Sequence, residues 1–445
     1  MKKRCTILNA AGGLGGTRFT GVTDDAPGID TSLFYDPNNV YLDNRVVLNK
    51  LPGLTINQQN VADALTGFFD TNGSLDLAFA TLDADGLTLA SGELATSAMQ
   101  SGFQSADRFL DVISDRFVFA DGSGDGEVAP AAYAGEGASS LAADAGASGA
   151  YEVLLEKHAS HDIASTSGDR WKAWGAAYGG ASDIDGDATI VGSHDVNTEM
   201  FGLAAGAGWR LGDVAFGAAL GGGHSNFDLD GGLGSGDEGL FNAGIHGRAE
   251  FGAGYVLGAL AYGYHDVSTS RVVGADTLEA NYSAHSFSGR AEAGYRFDMS
   301  AIGLTPYVAF QGTALHIPSY SETASGTGTF ALAYEGRTAT SARGELGVRL
   351  DKTVMLDNAM LMKLTGRAAW AHSSDDDRSM VASFQALPGT SFTVFGASTD
   401  RDSALIDVGA ELAWPNGVAA SLSFQSQLSQ NSQSYAGFGK LSIKW

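Results

Sequence analysis

From Arg170 to Trp445 apolar and polar residues alternate with period two, the spacing of a β-strand whose two faces meet different surroundings. In 237–251, Phe241, Ala243, Ile245, Ala249 and Phe251 share one face, and Asn242, His246, Arg248 and Glu250 share the other. The stretch 286–297 sets Phe287, Ala291, Ala293, Tyr295 and Phe297 against Ser288, Arg290, Glu292 and Arg296. In 404–414, Ile406, Val408, Ala410, Leu412 and Trp414 oppose Asp407 and Glu411. The pattern predicts 12 strands, near 170–181, 198–211, 213–228, 237–252, 254–272, 281–298, 301–318, 334–351, 359–374, 402–414, 417–429 and 433–445. Many are two to three times the usual strand of about five or six residues.

The connections alternate too. Those at 182–197, 229–236, 273–280, 319–333 and 375–401 are long, whereas Gly212, Ala253, Met299-Ser300, 352–358 and Pro415-Asn416 make short ones. Long loops on one side and tight turns on the other are the pattern of an outer-membrane barrel. Strands of this length cross a bilayer at a tilt, whereas a soluble sandwich is built from shorter ones. Aromatic residues near segment ends (Trp171, Trp174, Trp209, Tyr255, Phe297, Tyr307, Trp370, Trp414 and Trp445) are expected in interfacial girdles. An even strand count brings both barrel ends to the short-turn side.

Upstream the texture differs. Residues 1–50 carry short β-like runs such as Ser32–Tyr35 and Asn39–Leu42 around a Pro37-Asn38-Asn39 turn. Residues 51–118 read as helical: Thr55 is a candidate N-cap, with Val61, Leu65, Phe68 and Phe69 on one face. A second helix is expected from about Ser91 to Phe117, with Phe103, Phe109, Leu110 and Ile113 as its apolar stripe. Residues 119–169 combine a Gly/Ala/Ser/Asp linker with a short helix from Tyr151. Met1-Lys2-Lys3-Arg4 lacks a following apolar core, so no export signal is expected and the chain reads as part of a longer one.

Composition sharpens this picture. There are 61 glycines and 8 prolines among 445 residues, with 44% hydrophobic and 17% charged residues, enough apolar surface for an ordered fold. The net charge of −25 argues against nucleic acid as a partner. It is spread along the chain, with 9 basic and 23 acidic residues before Arg170 and 17 and 28 from there on. The single Cys5 makes no internal disulfide. No run approaches about 18 apolar residues, so no spanning helix is expected.

Candidate chemistry is sparse, and neither enzyme activity nor a cofactor is expected. There is no G-x-S-x-G, Walker A or H-E-x-x-H motif. His158, His161 and Asp162 read as solvated linker residues rather than a metal site. Asp183-Ile-Asp185-Gly-Asp187 resembles the front of a calcium loop, but Ala188 stands where glycine is required and His194 where the bidentate glutamate belongs. Asp121–Glu127 fails the same test, and Asp375-Asp376-Asp377 reads as a solvated loop run able to meet lipopolysaccharide phosphates through divalent ions. Gly202, Gly206 and Gly208 lie within a strand and relieve crowding there.

Trp171–Gly180, Phe201–Arg210, Phe384–Phe392 and Ala436–Trp445, taken in order, resemble the β-domain of the bacterial autotransporters (type V secretion). Asp36–Leu42 is similar to a last rung of a β-helical passenger, and Leu54–Asp63 to the helical segment between passenger and barrel. The resemblance implies an all-β C-terminal transmembrane barrel of 12 antiparallel strands over 170–445 with a helix in its lumen, preceded by a mixed β/helical passenger remnant. It implies a translocator that exports and displays the N-terminal passenger on a Gram-negative cell surface. The implied plug falls within about 138–168, with Tyr151, Leu154, Leu155 and Lys157 as its contact residues. Its wall partners would be Arg210, Arg248, Glu250, Arg290, Glu292, Arg343, Glu345, Arg367 and Glu411, since ionisable groups in a membrane protein must face water or pair. Tyr435, Gly437, Leu441, Ile443 and Trp445 match the terminal signal read by barrel-assembly machinery. Outer-membrane lipid, lipopolysaccharide and periplasmic chaperones are the other implied partners. A porin-like channel, or the barrel end of a surface protease, esterase or adhesin with its passenger upstream, are the competing readings.

Overall fold

A computed structural model describes residues 2–23, 26–115, 170–299, 302–356, 359–375 and 378–445. The stretch expected to hold the plug helix, 138–168, lies outside the described residues, as do Tyr151, Leu154, Leu155 and Lys157.

The C-terminal part is a closed barrel of 12 antiparallel strands: β4 (Arg170–Ile184), β5 (Val196–Leu211), β6 (Val214–Leu229), β7 (Gly234–Phe251), β8 (Gly254–Val273), β9 (Asp276–Tyr295), β10 (Ile302–Ile317), β11 (Arg337–Met355), β12 (Leu361–Asp375), β13 (Asp402–Ala413), β14 (Val418–Leu428) and β15 (Ser432–Lys444). Each pairs with the next, and β15 returns to β4 with Trp174 opposite Ser442 and Lys172 opposite Lys444. β9 to β10 completes the ring, with Arg290 opposite Gln311. Closure leaves no sheet edge, as a bilayer demands of β-structure. The short turns rest on residues with positive φ, such as Gly212 (57°) and Gly252 (62°), where a side chain would be strained.

The alternation sorts as the sequence predicts. Phe201, Leu220, Ile245, Leu260, Phe310 and Leu422 point outward and are more than half exposed. Glu238, His265, Arg290, Glu292, Gln311 and Glu345 are buried on the lumenal face. No described helix is long and apolar enough to cross a membrane; the strands make the crossing. Trp171 and Trp209 stack at 5.9 Å near the short-turn end, with Trp209 edge-on to Phe216 at 5.5 Å. Trp174, Tyr255 and Tyr307 do not join this girdle. All three are buried toward the lumen, because parity along a strand decides the face: Trp174, an odd number of residues from Trp171, must point the other way.

The N-terminal segment forms β1 (Lys3–Asn9), β2 (Ile29–Tyr35) and β3 (Asn39–Val46), ordered β1-β3-β2. Every pairing is antiparallel, so the segment is a small sheet rather than the parallel rung that the resemblance suggested. The reason is local. The Asp36 carboxylate accepts N–H bonds from Asn38 (2.8 Å) and Asn39 (2.6 Å), folding 29–46 back as a hairpin. The Tyr41 hydroxyl, donating to the same carboxylate, and the bonds from Asn39 and Asn38 hold the carboxyl down at about 2.

Four helices follow: α1 (Ile56–Asn72), α2 (Leu77–Ala80), α3 (Ala84–Ser91) and α4 (Leu94–Ser114). Thr55 and Gln58 form a reciprocal capping box that starts α1, and Gly73 at φ 69° ends it. α1, α2 and α3 pack on the long-loop end of the barrel. There, strands at Tyr320–Ser321, Leu332–Tyr334, Ser379–Phe384 and Phe392–Phe395 build a second sheet from the loops. Val61, Leu65, Phe79 and Leu87 share one apolar core with Leu332, Phe384, Phe392 and Val394. Polar bonds complete the seam: Asn57 exchanges two 2.8 Å bonds with the Phe395 backbone, and Asn60 donates to Thr393 O at 2.8 Å. The mouth is therefore capped.

Candidate functional site

α4 runs down the barrel axis from this cap. Gly92, at φ 70°, turns the chain from α3 into it; a Cβ there would meet Tyr334 Oη and Leu332 Cδ1 at 2.3 Å, so only glycine fits. Between Leu94 and Ile113 nearly every residue is buried, hydroxyl and amide side chains included, because barrel wall surrounds the helix. Its apolar stripe, Phe109, Leu110, Val112 and Ile113, packs with Ala204, Ala219 and Ala259 of the wall. The wall is carved to receive it. An added Cβ at Gly221 would lie 2.8 Å from the Phe109 ring, and one at Gly244 2.7 Å from Ile113 Cδ1.

The polar faces are matched as closely. Glu238 Oε2 on β7 accepts from Ser101 Oγ (2.6 Å) and Ser105 Oγ (3.1 Å), while its Oε1 lies 2.5 Å from His265 Nδ1 on β8. His265 Nε2 in turn meets Ser286 Oγ at 2.8 Å. Asp107 accepts from Gln311 Nε2 (2.8 Å) and stands 3.9 Å from Arg343; Lys440 Nζ donates to Asp115 at 2.6 Å. Arg108 donates to Ser434 Oγ at 2.5 Å.

Facing the helix is an ion network on β9 to β13. Arg290 makes a two-pronged contact with Glu345 (2.7 and 2.8 Å) and reaches Glu292 at 2.8 Å. Arg349 pairs with Glu292 at 2.9 Å and lies over the Tyr307 ring. Arg343 approaches Glu345 at 3.2 Å, and Arg367 bridges Glu345 (3.4 Å) to Asp407 (3.2 Å). The geometry keeps each of these buried charges beside an opposite one. Arg210 and Arg248 gather on Glu250 at 3.5 and 3.0 Å in a separate, lower group. Glu411 is buried away from both.

The wall residues named from the sequence thus line the lumen, and Arg343 among them meets α4 through Asp107. Sequence reasoning missed Glu238, His265, Arg349 and Asp407 as wall partners, although period two places each on the polar face. It also missed the glycine socket, whose signal was the run of glycines in β6 and β7, of which Gly221 and Gly244 fall on the lumenal face. Of the calcium-loop candidates, Asp187 spends its carboxylate on the N–H groups of Thr189 (3.1 Å) and Ile190 (2.9 Å), and His194 bonds Glu93. No cluster of metal-ligating side chains occurs among the described residues. Tyr435, Leu441, Ile443 and Trp445 all point outward from the last strand, with Gly437 on the same face.

Residues 173–425, more than half of the chain, match the model of the autotransporter beta-domain family. The chain belongs to the autotransporter family. A closed barrel with a threaded lumen agrees with this assignment, and it makes the protein an outer-membrane translocator. The long loops accordingly face outward and the short turns the periplasm. The fold is similar to the translocator domain of autotransporter NalP from Neisseria meningitidis, with a TM-score of 0.50 and 16% identity over 67% of this chain and 96% of that one. The beta domain of the Bordetella autotransporter Brka aligns at TM-score 0.47 and 15% identity, over 61% and 98%. An extracellular serine protease of Serratia marcescens is 25% identical over 267 residues, 59% of this chain. The chain spans about a quarter of that relative's length.

Proposed function

We propose that this translocator carries the N-terminal part of its own chain outward and displays it at the cell surface, with α4 as the segment left in the lumen. The observation that carries the reading is the direction of α4. Its N-terminal end joins the cap over the long-loop mouth, and its C-terminal end lies deeper, where Asp115 meets Lys440. A chain threaded this way has its N-terminal side outside and its return to β4 below. The barrel itself is proposed to be non-catalytic. The Serratia relatives favour a second reading of the wider protein, since both are named as extracellular serine proteases and match here over a quarter or less of their length. A protease upstream of residue 1 would use the same barrel.

The outward-facing Leu441, Ile443 and Trp445 support recognition of the last strand by barrel-assembly machinery, with periplasmic chaperones holding the open chain beforehand. Lipid and lipopolysaccharide would surround the apolar belt. The test of display is an epitope placed at exposed Leu77, in α2. Antibody binding to intact cells is the expected result, and labelling only after permeabilisation overturns it.

A further inference from the structure

α4 repeats its chemistry every fourth residue on several faces at once. Ser97, Ser101 and Ser105 form one row, Gln100 and Gln104 a second, Asp107, Asp111 and Asp115 a third, and Phe109 and Ile113 a fourth. Residues four apart lie on one side of a helix, about 6 Å apart along its axis. The wall is built to the same interval. Glu238 bridges two successive turns with one oxygen, and Gly244 sits against both Phe109 and Ile113.

Two side chains at the upper end of these rows are left over. Ser97 Oγ is fully buried and, among the described residues, has no hydrogen-bond partner; Gln100 Oε1 is likewise buried and unpartnered. A buried polar atom without a partner costs free energy, so its presence calls for a reason. Moving α4 one turn toward the short-turn end supplies partners for Ser97 Oγ and brings the Gln100 amide to a hydroxyl. Ser97 then takes the place of Ser101 between Ser225 and Glu238, and Gln100 takes the place of Gln104 beside Ser182. Asp111 arrives beside Lys440, and Phe109 drops into the place of Ile113 over Gly244. The contacts of Asp107 with Gln311 and Arg343, of Arg108 with Ser434 and of Phe109 with Gly221 are given up, which makes the observed register the resting one.

We propose that Glu238, Ser225 and the Gly244 socket form a reading site in the lumen for a helical stretch of this chain bearing hydroxyls at four-residue spacing. This site holds α4 in two registers one turn apart, the lower being the last stop before the cap seats. The proposal rests on the reading that the chain passes outward through the lumen. It names what the lumen recognises.

Disulfide trapping in the full chain tests it, on a Cys5→Ser background in outer-membrane vesicles, with heat-modifiable mobility verifying that each barrel is folded. Ser101→Cys with Ser225→Cys reports the resting register, in which the two hydroxyl oxygens are 3.0 Å apart. Ser97→Cys with Ser225→Cys reports the lower one, and Gln100→Cys with Ser182→Cys reports the same shift from another strand. Ala98→Cys with Ser225→Cys is the off-face control. The 97–225 disulfide is expected to form about ten- to a hundredfold more slowly than 101–225, as for a minor state of a few per cent or less. It should form faster once Arg271→Ala loosens the cap. If 101–225 forms but neither 97–225 nor 100–182 outpaces the control, with or without Arg271→Ala, the two-register site is overturned and translocation stands. If 101–225 itself fails in a folded barrel, α4 is not the lumenal segment and both readings fall.

Discussion

Ile113 Cδ1 stands 2.7 Å from where a Cβ would sit on Gly244, a wall residue that carries no side chain of its own. The Phe109 ring lies 3.1 Å from the same point. Filling that point is therefore an overpacking experiment on the helix–wall contact. Gly244→Ala is expected to cost about 2 kcal/mol, read as a lower temperature for loss of heat-modifiable mobility. Ile113→Ala in the same chain should recover part of the loss, and strict additivity of the two would show that the residues do not touch.

Arg271 and Glu322 are both almost fully buried and joined by bonds of 2.6 and 2.8 Å; Arg271 also donates to Leu89 O at 2.7 Å. Removing the cation leaves a buried carboxylate uncompensated. Arg271→Ala should destabilise the cap by about 4 kcal/mol and speed proteolysis of α1 to α3 in intact vesicles, while the barrel strands stay protected. Unchanged cleavage would show that the pair does not fasten the cap.

Glu93, at the entrance to α4, accepts from the His194 backbone N–H at 2.7 Å and lies 2.8 Å from its ring. The bond to Glu93 raises the His194 pKa, with Asp195 and Asp230 adding to it, and burial raises that of Glu93. Both groups hold protons more tightly folded than free. The His194 contribution is thus complete below the free histidine value of about 6.5 and fades as pH rises through its raised value, while that of Glu93 is complete only below the free glutamate value of about 4.3. Cap proteolysis should be slower at pH 6 than at pH 9, and His194→Gln should flatten the profile. A wild-type rate with no pH dependence would remove the latch.

Deleting Leu94–Ser114 exposes Arg290, Arg343, Arg349 and Arg367 to an open lumen. Planar-bilayer conductance should rise well above that of the full chain, and the reversal potential in a KCl gradient should favour chloride. Arg343→Glu should weaken that preference. Equal conductance with and without α4 would mean that the helix does not obstruct the lumen.

The barrel was legible because period two states a strand and its faces together: the ends of β13 match to within a residue, and parity alone placed Glu292 and Glu345 inward. The cap was not. Phe384 and Leu332 look like loop residues until α1 to α3 arrive to bury them, and no local pattern announces a contact between segments so far apart. α4 was legible as a helix with an apolar stripe but not as the occupant, since its other faces carry Ser, Gln and Asp, a composition that reads as solvated. Polar wall residues meet the Ser and Gln rows, so that part of the burial came without a hydrophobic signal. Trp174 and Tyr307 misled through type, aromatic near a segment end, where parity was the better guide.

The seam between β4 and β15 orders events in time. Trp171 and Trp445 exchange backbone hydrogen bonds at 3.1 Å in both directions, so the ring is fastened by the first and last strands of the barrel sequence. Until the final thirteen residues are delivered, the sheet has two raw edges and cannot close around anything. Whatever is to lie in the lumen can therefore be laid against a half-built wall from the side, with no need to be threaded end-on through a finished ring.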